Sequence, residues 1–415
     1  MNDMKRLFYP AFLCLLAGCQ GNTPDKNREA PEPAPPAKGT FGYDLAFLKQ
    51  YHKDLVLLSD DGRKAQVIVL PAYQGRVMTS TAGGPEGAGF GWVNHDLIAS
   101  GKPAEHINVF GGEERFWLGP EGGQFSIFFK KGVPFNFDNW FVPKELDTEP
   151  FQLAAATRTE ARFEKTMRLE NYAGTAFDLS VQRNIRLLGK NKIDSLLGMT
   201  LPAAVESVGF ESENTLKNTG TQAWDKKTGL LSIWVLSMLN ATPGTTVAIP
   251  YKQGDDKTPG KIVTDDYFGK VPAERLKAEN GLILFKADGR KRSKIGIAPP
   301  RAMPLAASWD ADNGVLTIAQ FSLPAGATDY VNSLWQMQKE PFRGDAVNAY
   351  NDGPNDTGKQ LGAFYELESS SPAAALKPGE SMTHLHRTIH LKGPVTALDA
   401  VAKKVLGVGL AEIKL

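Results

Sequence analysis

The chain has 415 residues, of which 47 are basic and 46 acidic, so its net charge at pH 7 is only +1. A nearly neutral chain without a block of basic residues does not attract phosphate backbones, which excludes nucleic acid as an expected partner. A hydrophobic content of 42% in a chain of this length is sufficient for a large buried core.

The first 18 residues predict a lipoprotein signal peptide. Two basic residues precede an apolar run at 7–16, which is too short for a membrane-spanning helix. The run ends in Leu-Ala-Gly before Cys19, and this resembles a bacterial lipobox, in which the peptidase cuts before the cysteine. We expect Cys19 to carry acyl chains such as palmitate and to anchor the protein to a membrane of the bacterial cell envelope, facing the periplasm or the cell surface.

Residues 19–40 predict a disordered tether, because they are rich in proline and charge and lack aliphatic bulk. Residues 41–415 are expected to form a single domain. Cys14 leaves with the signal peptide and Cys19 is acylated, so the mature domain has no thiol. Disulfides, cysteine nucleophiles and cysteine metal sites are thereby excluded.

The folded part is predicted to be mainly β, with helices only at its margins. Helices are predicted over Tyr43–His52 and Val395–Leu406, and the polar segment Lys252–Lys270 is interpreted as an exposed insertion or long loop. Between them, short runs of β-branched and aromatic residues bounded by Gly, Pro, Asn and Asp indicate a large antiparallel sandwich. The predicted strands are Gln66–Leu70, Arg76–Thr81, Gln124–Phe129, Arg162–Arg168, Phe177–Leu187, Gly229–Leu239, Thr245–Ile249, Gly281–Phe285, Gly314–Leu323, Leu361–Glu368 and Met382–Leu391.

The last two predicted strands carry the groups best suited to proton transfer. Residues two apart in a strand share a face, so Glu366 and Glu368 share a face of their strand, and so do His384, His386 and His390. If the two strands are neighbours in one sheet, these groups form a general acid–base site. The alternative is that the glutamates are structural and bind backbone amides or an arginine.

The histidine pattern H-x-H-x₃-H also suggests a metal site. It places the imidazoles of His384 and His386 side by side, as in some zinc sites, and Glu368 or His106 is a geometrically reasonable third ligand. A divalent metal is therefore a candidate cofactor, although acid–base chemistry requires none. The alternative is a polar outer face, or histidines that are hydrogen-bonded across the sheet.

Two further histidines lie in polar, glycine-rich loops, where functional residues are common. His95 and His106 are candidates for the acid of such a site, and the alternative is that both are merely solvated.

The segment Gly111–Gly123, GGEERFWLGPEGG, combines charge with aromatic surface and suits a saccharide. We expect substrate contacts from Glu114, Arg115 and Trp117, and from nearby Asn108. The alternative is a tight hairpin with a core tryptophan and an internal Glu–Arg pair.

The C-terminal elements give the chain a family resemblance. An acidic strand Tyr-Glu-Leu-Glu at 365–368, a turn Leu-Lys-Pro-Gly-Glu at 376–380 and a final strand at 383–391 are similar to those of the galactose mutarotase-like, or aldose 1-epimerase-type, superfamily. The blocks at 111–123 and Asn-Asp-Gly-Pro at 351–354 are typical of its bacterial lipoprotein branch. The resemblance implies an antiparallel β-supersandwich with a few marginal helices and a groove that binds a sugar.

The resemblance also implies roles for particular residues. Glu368 matches the glutamate base of the mutarotases, with Glu366 as the alternative because the register is uncertain. The epimerases carry an acid histidine in a His-x-Tyr-Phe-Asn block on a middle strand, whereas the corresponding segment Asn218–Leu239 has Trp234 and no histidine. We therefore expect an envelope lipoprotein that binds a carbohydrate and processes it by acid–base chemistry at the sugar ring. The alternatives are a non-catalytic sugar-binding lipoprotein and a metal-dependent glycan lyase or hydrolase.

Overall fold

The computed structural model describes residues 35–254, 260–355 and 357–415, and residues 36–415 form one compact unit. The predicted signal peptide, Cys19 and residues 19–34 of the predicted tether lie outside the described residues. No helix in the described ranges is long and apolar enough to cross a membrane.

Five α-helices and eighteen strands form in the part of the chain that the structure describes. The helices are α1 (Phe41–Tyr51), α2 (His95–Ser100), α3 (Lys144–Asp147), α4 (Lys190–Leu197) and α5 (Val395–Leu406). The strands are β1 (Val56–Ser59), β2 (Gln66–Leu70), β3 (Arg76–Thr81), β4 (Gly112–Gly119), β5 (Gln152–Ala156), β6 (Glu160–Glu170), β7 (Ala176–Leu187), β8 (Glu206–Asn218), β9 (Ser232–Asn240), β10 (Thr245–Pro250), β11 (Leu276–Glu279), β12 (Leu282–Lys286), β13 (Ser293–Ile297), β14 (Leu305–Asp310), β15 (Val315–Phe321), β16 (Val347–Asn351), β17 (Phe364–Ser370) and β18 (Ser381–Lys392).

These strands form two antiparallel sheets, which we call sheet A and sheet B. Sheet A has eight strands in the order β1-β2-β3-β4-β9-β17-β16-β13, and sheet B has ten in the order β11-β12-β10-β14-β15-β18-β8-β7-β6-β5. The mainly β, antiparallel sandwich predicted from the sequence is confirmed. β17 and β18 lie in different sheets, so the prediction that these two strands are neighbours in one sheet is wrong.

Where α5 packs against sheet B, this sheet is covered on both faces, by the helix on one side and by sheet A on the other. Leu398 and Val401 of this helix are fully buried in the same cluster as Ile389 and Leu391 of β18. The other face of β18 points to sheet A, with which its side chains form hydrogen bonds described below. β18 is thus enclosed between a helix and the second sheet, and this explains why its histidines are buried.

Local patterning in the sequence predicted most, but not all, of these elements. The helix over Val395–Leu406 is confirmed at both ends, and Gly407 ends it with a φ of 78°. The predicted strand Gln124–Phe129 is wrong. Its backbone turns at Ser126, whose amide donates to the carbonyl of Gly123, and its aromatic side chains pack in the interior without a strand ladder.

In its described residues, the polar segment Lys252–Lys270 forms a loop and is mostly exposed, as predicted, and residues 255–259 lie outside the described ranges. Ile262 and Val263 pack against a buried cluster that contains side chains of both sheets. The Tyr267 hydroxyl donates to Asp345, and burial raises the pKa of that carboxyl to about 6. Residues of this segment therefore lie beside β13 and β16.

A bulge at the start of β4 decides which face each charged side chain takes. The pairing of β4 with β9 shifts between Gly112 and Arg115. A bulge leaves an extra residue in one strand, which places Glu113 and Glu114 on the same side. Both reach groups of sheet B, and Arg115 and Trp117 consequently point to the opposite face of sheet A.

Gly111 lets β4 begin at this position. Its φ is +92°, and a Cβ atom there would lie 2.1 Å from the carbonyl oxygen of Trp92. We expect Gly111→Ala to lower the free energy of unfolding by roughly 3 kcal/mol, because it combines left-handed strain with a backbone clash. Urea unfolding measures the loss, and Gly101→Ala is the matched control.

Gly101 also has a positive φ, +59°, but a Cβ there would meet nothing within 4 Å. Its replacement should cost only about 1 kcal/mol, the strain without the clash. Equal losses in the two variants would contradict the steric argument for Gly111.

Candidate functional site

Glu366 and Glu368 lie together on the face of sheet A that points away from sheet B, which we call the outer face. Cross-strand partners in an antiparallel sheet share a face. Glu368 pairs with Asn348 of β16 and with Leu236 of β9, and Leu236 also pairs with Arg115 of β4. The prediction that the two glutamates share one face is confirmed, and Arg115 is brought beside them.

Two neighbouring strands complete this face. Trp117 of β4 pairs with Trp234 of β9, and Lys294 of β13 pairs with Tyr350 of β16, the partner of Glu366. We call Arg115, Trp117, Trp234, Lys294, Glu366 and Glu368 the carboxylate cluster. Every member is buried.

Glu368 is the most strongly held carboxylate of this cluster. Its Oε2 atom accepts hydrogen bonds from Trp234 Nε1 and Lys294 Nζ, each at 2.9 Å, and only 1% of the residue is exposed. Donors of this kind, one of them an ammonium, stabilise the charged carboxylate. The second oxygen, Oε1, is buried and has no partner among the described residues.

Glu366 has a different environment. Arg115 Nη2 donates to its Oε1 atom at 3.2 Å. Burial raises the pKa of Glu366 to about 8, with Arg115 acting in the opposite direction and Glu368 adding to the rise. The two adjacent carboxyl groups therefore differ in environment, because burial raises the pKa of Glu366 while Glu368 accepts hydrogen bonds from a lysine and a tryptophan. Paired carboxyl groups with opposed environments are typical of acid–base sites.

Lys294 links the carboxylates electrostatically. Burial lowers the pKa of Lys294, but the charges of Glu368, Glu121 and Glu366 more than offset this, and the net shift is upward. Its ammonium also lies 4.8 Å from the centre of the Trp234 ring. Glu121, whose own pKa is raised by burial and lowered by Lys294, belongs to the same electrostatic group. Lys294 is thus a fixed positive charge beside Glu368.

Several polar atoms of this face are buried without a protein partner. Within the described residues they include Glu368 Oε1, Arg115 Nε and Nη1, and the indole nitrogen of Trp117. Arg115 also lies over the Trp117 ring, at 4.0 Å from its centre. Buried polar groups are nearly always paired, so one acceptor and several donors on this face are left to bind ordered water or a polar ligand.

The histidines of β18 do not reach this cluster, which overturns the spatial prediction made for them. Ser369 follows Glu368 in β17 and therefore points to the other face, towards sheet B. Its hydroxyl lies 2.8 Å from His384 Nε2 and 2.9 Å from His386 Nδ1. His390 contacts Glu113 at 3.0 Å on the same side. The glutamates and the imidazoles are separated by the thickness of sheet A.

Burial also changes the chemistry of the two imidazoles. It lowers the pKa of both His384 and His386 to about 3, so they are neutral near pH 7 and do not serve as acids there. Glu368 is on the wrong face to be their third metal ligand. In the described ranges, no three or more His, Cys, Asp or Glu side chains converge as a metal site. The interpretation that fits these histidines is hydrogen bonding between the sheets.

The two histidines predicted to lie in loops are likewise separate from the glutamates in their contacts, and His95 is the first residue of α2 instead of a loop residue. His95 Nε2 lies 2.8 Å from Asp44 of α1. His106 Nδ1 donates to the carbonyl of Trp140 at 2.8 Å, and its ring packs between Phe137 and Phe141. His95 thus joins two helices, and His106 belongs to an aromatic group beside Trp140.

The four predicted substrate-contact residues divide into two pairs. Arg115 and Trp117 lie in the carboxylate cluster. Glu114 faces sheet B, where it forms an ion pair with Arg183 at 2.8 Å, and Asn108 binds the Asp147 carboxylate. Glu114 does not point to the outer face, and the bulge in β4 is the physical reason. The alternative of a Glu–Arg pair within 111–123 is not found among the described contacts. Glu114 pairs with Arg183, and Arg115 pairs with Glu366, and both partners are far away in the chain.

Two surface cavities, of about 550 and 460 Å³, open elsewhere on the molecule. The first is lined by Trp309, Lys286 and the C-terminal residues, and the second by Leu196, Phe321 and Arg387 among others. Neither contains a member of the carboxylate cluster. We favour the cluster as the functional site because opposed carboxyl groups and unpartnered donors converge there.

Comparison with known proteins assigns the family. The profile of a family of unknown function, DUF6786, matches residues 39–415. The chain belongs to this family. No curated protein matched the DUF6786 chain.

The DUF6786 chain is similar to several solved structures at low sequence identity. A candidate aldose 1-epimerase from Escherichia coli K12 is 13% identical with a TM-score of 0.49, and covers 82% of this chain and 99% of its own. A galactose mutarotase-like protein from Lactobacillus casei is 8% identical with a TM-score of 0.46, and covers 81% and 99%.

The sequence alone did not predict the roles of three residues at the DUF6786 site, Lys294, Trp234 and Glu121. The signal for Lys294 is its position in the short apolar strand Ser-Lys-Ile-Gly-Ile, because a lysine is an unusual residue for a buried strand. Trp234 was noted only as the replacement for a histidine, whereas it donates to Glu368. Glu121 was seen as part of the 111–123 block, without its electrostatic link to Lys294.

The raised pKa of Glu366 predicts a pH-dependent loss of stability. Between the ordinary value of 4.5 and about 8, the folded protein keeps a proton that the unfolded chain has released. The free energy of unfolding therefore falls as the pH rises through this range. We expect the fall from pH 5 to pH 8 to be larger in the wild type than in Glu366→Gln, by roughly 1–3 kcal/mol.

Urea unfolding of both proteins at the two pH values measures this difference. Glu164→Gln, on sheet B, is the control and should behave like the wild type. Parallel pH profiles for the wild type and Glu366→Gln would show that Glu366 does not retain its proton in the folded state.

Proposed function

We propose that this DUF6786 protein binds a carbohydrate on the outer face of sheet A and catalyses proton transfer at the sugar ring. The observation that carries the proposal is the pair of adjacent carboxyl groups in different environments: burial raises the pKa of Glu366 to about 8, and Glu368 accepts hydrogen bonds from Trp234 and Lys294. Aromatic faces suited to sugar C–H surfaces lie beside them in Trp117 and Trp234. The unpartnered donors of Arg115 suit sugar hydroxyls.

In this reaction, Glu368 and Glu366 each transfer one proton. Glu368 takes the proton of the anomeric hydroxyl while Glu366 gives its proton to the ring oxygen. The bond between the anomeric carbon and the ring oxygen breaks, and an open-chain aldehyde forms. Ring closure on the other face of the carbonyl reverses both transfers and leaves the opposite anomer. Lys294 and Arg115 keep the charge of the site balanced in both states.

A second candidate function is carbohydrate binding without turnover. The contact that favours it is the ion pair between Lys294 and Glu368, because a neighbouring ammonium makes a carboxylate a weaker base. The fold places Trp234 directly on Glu368, so no histidine acid is available from that strand. Both candidates use the same face and differ only in whether protons move.

Anomer exchange measured by NMR separates the two functions. The wild-type protein is added to a panel of free aldoses and uronic acids, and magnetisation transfer between the α and β anomers is followed at pH 7. Exchange faster than the uncatalysed rate for one sugar supports the enzymatic proposal. Binding in the same samples without faster exchange supports the second function, and absence of binding to every sugar contradicts both.

We also propose that the protein is anchored at the cell envelope through acylated Cys19. The small residues before the cysteine and the preceding apolar run support this placement. In a bacterial host, the wild type should sediment with membranes and incorporate labelled palmitate, and Cys19→Ser should do neither. A Cys19→Ser protein that still carries the label would contradict the assignment of the acylated residue.

A further inference from the structure

An aromatic path leads from the carboxylate cluster to the molecular surface. Trp234, which donates to Glu368, lies 5.6 Å from Trp117 between ring centres, and Trp117 lies 6.4 Å from Trp140. Trp140 lies 6.0 Å from Phe137, which is 51% exposed. Each step is within the range of direct ring contact.

The outer end of this path is an ordered group of side chains, which we call the aromatic rim: His106, Phe137 and Phe141. His106 stacks on Phe141 at 4.5 Å and contacts Phe137 at 4.6 Å. Asn136 holds the turn that presents Phe137, because its side-chain oxygen accepts from the amide of Asn139. Phe141 is 36% exposed, so the rim offers aromatic surface to solvent instead of burying it.

Polar groups accompany the rings along the path. The indole nitrogens of Trp117 and Trp140 are both buried and have no partner among the described residues. At the rim, His106 Nδ1 donates to the Trp140 carbonyl, and Nε2 is the ring nitrogen left for a ligand. The exposed rings of Phe137 and Phe141, beside the free nitrogen of His106, suit a ligand that has both C–H faces and hydroxyls.

We infer that the ligand of this protein is an oligosaccharide, and that the aromatic rim binds a sugar unit distant from the one at Glu366 and Glu368. This rests on the proposed function, because it takes the carboxylate cluster as the first sugar position. One pyranose ring is shorter than the path of three ring-to-ring contacts from Trp234 to Phe137. The second sugar stacks on Phe137, and His106 Nε2 accepts a hydroxyl proton.

A binding series in chain length tests the inference on the full-length protein. The probes are gluco-, manno-, xylo- and N-acetylglucosamine oligosaccharides of one to six units, and calorimetry gives the dissociation constants. For the series that binds, we expect affinity to rise with length and Phe137→Ala to weaken binding of the longest member about tenfold. Binding of the monosaccharide should not change.

Two further variants make the test specific. Phe137→Tyr keeps the ring and should restore the affinity for the longest member. Tyr51→Ala removes an aromatic residue that is 41% exposed on α1 and should have no effect. Equal affinity for short and long members, or equal losses for both in Phe137→Ala, overturns the inference while monosaccharide binding keeps the proposed function intact. If the wild type binds no carbohydrate of any length, the proposed function fails and the inference fails with it.

Discussion

Glu368→Gln should reduce the rate of anomer exchange by about 100- to 1,000-fold, while the dissociation constant of the sugar changes by less than about tenfold. Glutamine has the same shape, and its amide oxygen still accepts from Trp234 Nε1. It does not accept a proton from the anomeric hydroxyl, so the proton-transfer step is lost and the binding surface is kept. The measurements are NMR exchange rates and calorimetric binding constants on the same preparation.

The same substitution has a consequence that does not depend on turnover. Lys294 loses the carboxylate that compensates its buried ammonium, and breaking a buried ion pair from one side costs about 3 kcal/mol. A lower free energy of unfolding is therefore expected in urea, even if the protein proves to be a binding protein only. Glu164→Gln, an acid-to-amide change on sheet B, should leave both the exchange rate and the stability unchanged.

An exchange rate in Glu368→Gln within threefold of the wild type would show that Glu368 is not the base. Retained exchange with reduced stability would leave Glu368 a purely structural partner of Lys294. Loss of sugar binding along with exchange would instead mean that its charge holds the ligand.

Arg183→Met should lower the free energy of unfolding by about 3–5 kcal/mol, one of the largest single effects expected in this fold. Arg183 and Glu114 form an ion pair at 2.8 Å between the two sheets, and neither side chain is exposed. Removing the guanidinium leaves the Glu114 carboxyl in a low-dielectric interior, where burial already raises its pKa. Urea unfolding at pH 7 measures the loss.

The double variant Arg183→Met with Glu114→Leu distinguishes charge from volume. A buried ion pair replaced by apolar side chains is often neutral or stabilising, because neither charge must then be desolvated. We expect the double variant to recover most of the stability that the single variant loses. A double variant as unstable as Arg183→Met would show that packing around the guanidinium, or its bond to the Gly75 carbonyl, is what matters.

Strands β17 and β18 show what local sequence patterns predict and what they do not. Their positions, and the sharing of a face by Glu366 with Glu368 and by His384 with His386, were correctly predicted from the alternation of side chains along a strand. Their placement in one sheet was not. Which strands become neighbours depends on hydrogen bonds between segments far apart in the chain, and the alternation contains no information about them.

The same limit explains the other differences at the site. The bulge that sends Glu114 inward and Arg115 outward arises from the pairing of β4 with β9, more than a hundred residues away. Lys294 acquires its role only because β13 joins sheet A through β16, on the same side as Glu368. These residues meet through long-range pairing alone.

The amino-acid order by itself determined that this protein is rich in antiparallel strands, which residues of each strand share a side, and where the last helix begins and ends. These properties follow from backbone geometry and side-chain periods within a few residues. Tertiary structure alone decided that the two acidic side chains meet an arginine, a lysine and two tryptophans, and that the imidazoles are buried between the sheets. Burial and charge at a point depend on all the segments that converge there, and only the complete packing brings those segments together.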